Sequence, residues 1–217
     1  VWVCVVLFVN IGGVRLLRSA EMPLLRVGVA RVDITPDYPV RLSGFGFRRT
    51  ESEGVNDRIF AKALVFADEQ AGPAILITAD NLCVPDAITE EIARRLGGKV
   101  GLKRERLAIT ATHTHTGPML KDVCPTLFGV PIPPEHQKNI DRYTVEFIDK
   151  LEEVALAAGK DVREARVSYG TGTVGFAMNR RTKGGPVDHD LPVLAVREMD
   201  GKLRAVYFSY ACHCVTL

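Results

Sequence analysis

The sequence is poor in the features that usually betray a function. Its five cysteines, Cys4, Cys83, Cys124, Cys212 and Cys214, are scattered through 217 residues. They are too few and too dispersed for a disulfide scaffold. There is no Cys-x-x-Cys pair, and Cys212 and Cys214 are poorly spaced to bond each other. No run of five like charges occurs, and no basic helix interleaved with aromatics. With 28 basic against 26 acidic side chains and a net charge of +2, nothing draws the chain to nucleic acid or to a strongly anionic membrane. A P-loop, a GxGxxG after a strand, a GxSxG elbow and an HExxH helix are all missing. That removes the commonest nucleotide, serine-hydrolase and zincin routes. The apolar run Val1 to Val9 is too short to span a bilayer as a helix.

What remains is an ordinary globular composition, 47% apolar and 25% charged, long enough for one domain with a sizeable core or for two small ones. Residues 1–21 read as an apolar leader. They are either the remnant of a signal peptide with Ala20 as its cleavage position, or a mis-extended start ahead of Met22. Residues 24–217 read as the domain proper, and the stop at Leu217, just past a histidine, reads as a fragment boundary.

Leu24 to Val32 alternates as a strand does. A Pro- and Gly-rich loop follows to Arg49, and Gly44 and Gly46 around Phe45 predict a bent or closely approached backbone. Ile59 to Ala67, Ala74 to Ala79 and Leu107 to Ala111 read as buried strands. Asp86 to Leu96 reads as a helix capped by Asp86 or Thr89 and ended by Gly97-Gly98. Glu135 to Ala158 is the clearest helix, with apolar Ile140, Tyr143, Phe147, Leu151, Val154 and Ala158 at steps of three or four. Ala165 to Tyr169, Pro192 to Arg197 and Leu203 to Tyr210 are further strands, the last two joined by an Asp200-Gly201 turn. The class is α/β, with mixed β-sheets layered with α-helices and a metal site at strand ends.

The sharpest chemical feature is Thr112-His113-Thr114-His115-Thr116-Gly117-Pro118, where the strand Leu107 to Ala111 ends. In an extended chain the two imidazoles would share a face, with α-carbons roughly 6.5 Å apart. One could then bind a metal while the other binds it too or faces a substrate, and neutral imidazole suits zinc. His213, after the strand ending at Tyr210, is a second imidazole delivered by a strand end. A catalytic zinc needs about three protein ligands and one open position. The chain offers His113, His213 and, as a third candidate, His115. Arg180, in Asn179-Arg180-Arg181, has the rigid donor fork that holds a carbonyl or carboxylate. Asp80 is either a group supporting the metal or a turn cap. His136 and His189 read as exposed, and Cys212 and Cys214 as packing residues.

Taken in order, Val27 to Pro36 (VGVARVDITP), Ser43 to Gly46, Gly54 to Asp57, Thr78-Ala79-Asp80, Thr112 to Pro118, Asn179-Arg180, Asp190 to Leu194 and Ala211-Cys212-His213 resemble the N-terminal catalytic domain of the neutral, non-lysosomal ceramidases. The resemblance implies Zn2+ as cofactor, with His113 and His213 as metal ligands. It implies His115 and Arg180 as catalytic residues beside the metal, near the substrate amide and the developing oxyanion. It further implies a zinc-dependent hydrolase cleaving the amide of ceramide-like N-acyl sphingoid lipids. A glutamate and a tyrosine ligand and a serine nucleophile would then lie beyond Leu217, leaving the fragment inactive alone. Cys214 departs from the family, which usually has proline there. The lipid substrate is the implied partner, with transient membrane-surface contact and no nucleic acid. The setting is secreted or periplasmic, or cytoplasmic if translation starts at Met22. Met119, Leu120, Leu127, Phe128 and Val130 in the 117–134 loop are candidates to line an apolar cleft. Two alternatives remain open. One is a metal amidase or esterase on another acyl substrate; the other is a non-catalytic binding module that retains the fold.

Overall fold

A computed structural model describes residues 24–124 and 126–213. The residues read as a leader lie outside the described range, as does Cys214. The described chain divides into two compact units. One comprises Leu24–Ala165 together with His213; the other is Arg166–Cys212.

The first unit is built on four strands: β1 (Leu24–Asp33), β2 (Phe60–Ala67), β3 (Ala74–Ala79) and β4 (Leu107–Ala111). β1 pairs antiparallel with β2, β2 antiparallel with β3, and β3 parallel with β4. The parallel step requires a crossover, and helix α1 (Asp86–Val100) makes it. A second helix, α2 (Pro134–Lys160), packs against β1 and β2 and touches α1.

Register explains which residues form the core. Ala61 pairs with Ala79, Ala63 with Ile77 and Val65 with Ile75. With side chains alternating across the sheet, these six point to one face, and all are buried there with Ile140, Tyr143, Phe147, Leu151, Val154, Ala155 and Ala158 of α2. The helix periodicity read from the sequence is thus the face that meets the sheet. Small residues let the layers close. A Cβ at Gly28 would lie 1.8 Å from the Ala158 carbonyl oxygen, so only glycine admits α2 at this distance.

Helix ends differ from the sequence reading. α1 has Pro85 at its N-cap with no side-chain capping bond, so neither Asp86 nor Thr89 plays that role. It also runs through Gly97-Gly98 and stops at Gly101, whose φ of 67° is the left-handed conformation glycine tolerates. Burial of Ile88, Ile92, Ala93 and Leu96 outweighs the poor helix propensity of two glycines.

The 117–134 loop is also not what the sequence suggested. Met119, Leu120 and Phe128 are buried core members and Leu127 packs against the core. These side chains hold the fold and are not free to line a lipid cleft; Val130 alone of the five is exposed.

The second unit holds β5 from Arg166 onward (the strand is Arg163–Thr173), β6 (Asp190–Arg197) and β7 (Leu203–Phe208), paired antiparallel in that order. The turn between β6 and β7 contains Gly201 at φ 86°, as the Asp-Gly signal predicts. No described helix is long and apolar enough to cross a membrane.

Candidate metal centre

The C-terminal ends of β3 and β4 create the site. Past Ala79 and Ala111 the two chains leave the sheet side by side and remain laced together. Thr112 N–H donates to the Ala79 carbonyl (3.0 Å) and Thr114 N–H to the Asn81 carbonyl (3.0 Å). Gly117 N–H closes the turn onto the Thr114 carbonyl (3.0 Å). Within this turn His113 has φ 59°, a left-handed conformation that costs a non-glycine residue of order 1 kcal/mol or more. The two histidines are therefore not on an extended strand, as their spacing suggested; a turn brings them together. Their ring centroids are 4.9 Å apart, edge to face.

His213 joins them. Its ring centroid lies 4.8 Å from that of His113 and 4.8 Å from that of His115. His115 Nε2 and His213 Nε2 are 3.2 Å apart. One potential ligand atom from each of the three imidazoles lies within 4.8 Å of the others. His113 and His115 are half-buried and His213 is exposed.

Hydrogen bonding sets the rings' chemistry. His113 Nδ1 is 2.9 Å from the Leu82 carbonyl oxygen. A carbonyl can only accept, so Nδ1 carries the proton and Nε2 presents its lone pair. This is the way a metal-binding histidine is usually oriented. Leu82 is held in turn by Asn81, which is 1% exposed. Asn81 Oδ1 accepts from Leu82 N–H at 2.7 Å, while its Nδ2 donates to the Pro118 carbonyl at 3.0 Å. Burial and the neighbouring His113 and His213 rings push the His115 pKa below the usual histidine value, the direction that favours the neutral ring metal binding requires.

The donor set fits a zinc ion. Tetrahedral zinc with Zn–N bonds of 2.0–2.1 Å puts two donor nitrogens about 3.3 Å apart, close to the His115–His213 spacing. The other sequence candidates serve elsewhere. Asp80 Oδ2 accepts from Phe60 N–H (3.0 Å) and faces Lys62 at 3.6 Å, tying β2 to the end of β3. His136 lies beside the buried Arg41 guanidinium, Nδ1 3.4 Å from Nη1. His189 is half-buried, not exposed, with its Nδ1 buried and unpartnered among the described residues. Arg180 belongs to the second unit and is exposed. It sits on a loop shaped by Asn179, whose Oδ1 accepts from the Arg181 and Thr182 amides at 3.1 and 3.0 Å.

The sequence reading missed Asn81 and two arginines. Arg41 is 2% exposed and donates to the Arg49 and Arg48 carbonyls at 2.8 and 2.7 Å. Arg48 donates to the carbonyls of His115 (2.7 Å) and Ser43 (3.1 Å). Only the glycines at 44 and 46 signalled that this loop is closely approached.

The chain is similar to several known proteins. Neutral ceramidase of Drosophila melanogaster is 31% identical over 96 residues, 43% of this chain and 14% of that protein. Neutral ceramidase of Mycobacterium tuberculosis is 35% identical over 101 residues, 44% of this chain and 16% of that protein. Neutral ceramidase B of Dictyostelium discoideum is 22% identical over 219 residues, 93% of this chain and 30% of that protein. The chain thus spans under a third of these relatives. The crystal structure of neutral ceramidase from Pseudomonas aeruginosa superposes with a TM-score of 0.70 at 20% identity, covering 89% of this chain and 32% of that one. A ceramidase complexed with C2 gives 0.69 over the same shares. Both likenesses establish the fold. Residues 25–184, most of the chain, match the family described as neutral/alkaline non-lysosomal ceramidase, N-terminal, and the chain belongs to that family.

Proposed function

We propose that this chain supplies the histidine part of a zinc-dependent amidohydrolase that cleaves the amide bond of ceramide-like N-acyl sphingoid lipids. The observation that carries the reading is the convergence of His113, His115 and His213, with ligand atoms within 4.8 Å of one another. It is supported by the family and by relatives described as neutral ceramidases. His113 and His213 would hold the ion, His113 through the Nε2 that its bond to Leu82 leaves free. Zinc, when bound, supplies a Lewis acid and a low-pKa water or hydroxyl. His115, whose neutral form is favoured by burial and its neighbours, would donate or accept a proton at Nε2 next to the scissile amide. Arg180, whose side chain is exposed, would hold the carbonyl oxygen as negative charge develops on it. The family's export habit favours a secreted or periplasmic setting, which cell fractionation would test.

A second zinc reading is favoured by the 3.2 Å spacing of His115 and His213 Nε2: all three imidazoles bind the ion. Cobalt substitution separates the two. A visible spectrum unchanged in His115→Ala leaves two histidine ligands, whereas a changed one makes His115 the third.

The test is metal content of a protein of the relatives' full length beside its His113→Ala and His213→Ala variants. About one zinc per chain, lost in both variants, is expected from a single site; zinc unaffected by either change refutes the site. The cluster holds only imidazoles among the described residues. The 217 residues alone are therefore expected to bind zinc weakly and to leave a short-chain ceramide uncut. The amidase itself is to be assayed in a protein of the relatives' full length. Robust hydrolysis by the isolated chain, or hydrolysis that survives loss of both histidines, overturns the proposal.

A further inference from the structure

The loop Ser43 to Arg49 also approaches the histidine turn. Gly44 has φ 101°, and a Cβ there would lie 2.6 Å from both the His115 Cα and its carbonyl oxygen. Backbone therefore meets backbone at a distance that only glycine permits. The next residue, Phe45, sets its ring edge-on to the His115 ring, centroids 5.0 Å apart at 66°. Arg48 closes the structure. Its guanidinium carbon lies 4.7 Å from the Phe45 centroid, and its Nη1 donates at 2.7 Å to the His115 carbonyl and at 3.1 Å to the Ser43 carbonyl. One guanidinium thus holds, through Nη1, the backbone of His115 and the backbone ahead of Gly44, and lies over the ring that packs on the imidazole.

Arg48 is itself held. Its carbonyl accepts from Arg41 Nη2 at 2.7 Å, and Arg41 Nη1 binds the next carbonyl, that of Arg49, at 2.8 Å. Arg41 is 2% exposed and lies over the buried Phe128 ring, 4.1 Å from its centroid. The chain of support runs from the hydrophobic core through Arg41 and Arg48 to His115. His115 depends on this support: among the described residues its ring nitrogens meet only the exposed His213 ring, at 3.2 Å from Nε2, and the Gly44 backbone that Arg48 holds in place. His113, in contrast, has its ring nitrogen fixed on the Leu82 carbonyl.

We propose that Arg48 is the positioning residue for His115, fixing where its imidazole stands in the histidine cluster. The proposal rests on the reading of that cluster as the working site. Both bonds leave one nitrogen, Nη1, while the guanidinium lies over the Phe45 ring; a lysine ammonium has donors for such bonds but no planar group to stack on the ring.

The experiment uses the metal-free chain, nitrogen-15 labelled, and reads the imidazole signals of each histidine by long-range nitrogen–proton NMR. Arg48→Ala is expected to shift or broaden the His115 signals while those of His189, in the other unit, stay in place. Arg48→Lys is expected to restore them in part. Arg94→Ala, an exposed arginine of α1, is the control that leaves all of them unchanged. His115 signals that do not move in a folded Arg48→Ala chain overturn the proposal. If that variant does not fold, Arg48→Lys carries the test, and His115 signals identical to those of the unsubstituted chain overturn it. Zinc added to the same samples tests the underlying reading separately. Zinc that moves no imidazole signal in the unsubstituted chain refutes the metal site, and the metal-free spectra still decide the role of Arg48.

Discussion

Replacing Asn81 with alanine isolates the support of His113 from His113 itself. The side chain makes two hydrogen bonds in a site that is 1% exposed, one from Leu82 N–H at 2.7 Å and one to the Pro118 carbonyl at 3.0 Å. Alanine leaves a buried donor and a buried acceptor unpaired, each costing about 1–3 kcal/mol, so the fold should lose about 2–6 kcal/mol. That is a large share of a typical domain's stability. The same change releases the N–H of Leu82, the residue whose carbonyl orients His113 Nδ1 at 2.9 Å. Loss of a group that orients a ligand usually costs about 10–100-fold in metal affinity. Asn81→Asp is the comparator: it keeps an acceptor for Leu82 N–H and loses the donor to Pro118. Urea denaturation gives the stability of each variant, and zinc competition against a chromophoric chelator, at urea-free conditions where both are folded, gives affinity. Alanine is expected to weaken zinc binding more than aspartate relative to the stability each has lost. Equal affinity in the folded alanine variant and the unsubstituted chain would falsify the claim that Asn81 acts on the metal through Leu82.

Three other outcomes rest on packing, charge and the histidine cluster. Gly28→Ala drives a methyl to 1.8 Å from the Ala158 carbonyl oxygen; helix and strand must part, at a cost of about 1–3 kcal/mol or more, read as a lower urea midpoint at unchanged m. An unmoved midpoint contradicts the packing. Glu152 lies between Lys99 and Arg95, and its pKa is held below the usual 4.5, chiefly by the bond from Lys99. Because the folded pKa is the lower one, its stabilisation is present above about pH 4.5 and lost as pH falls through the folded value. Glu152→Gln should therefore be less stable than the parent at pH 7, and the two stability curves should converge in acid; parallel curves refute this. Zinc stoichiometry should survive His115→Ala and vanish in His113→Ala and His213→Ala; loss in all three variants makes His115 a ligand.

How much of this was legible in the sequence depends on the range of the interactions involved. The α2 stripe from Ile140 to Ala158 announced itself, because one helix face meets one sheet and local periodicity records that. All six of its apolar positions are buried. Strands Ala74–Ala79 and Leu107–Ala111 were legible to the residue from their apolar runs, although the second, read as buried, buries only Leu107. The end of α1 was not, since two glycines are a local stop signal and the packing of Leu96 and neighbours is a tertiary one. The loop residues Met119, Leu120 and Phe128 were misassigned because hydrophobicity says that a side chain is covered, not by what. At the site, the histidines were legible as residue types, while what orients them was not. His113 turns on a left-handed backbone against a carbonyl supplied 31 residues earlier, and His115 is gripped by an arginine 67 residues away. A carbonyl has no side-chain signature, and an arginine in Phe47-Arg48-Arg49 looks like any solvated basic pair. The glycines at 44 and 46 were the only local trace. Both mark a backbone approached closely: Gly46 meets the Leu127 carbonyl, and Gly44 meets the histidine turn on which the chemistry would depend.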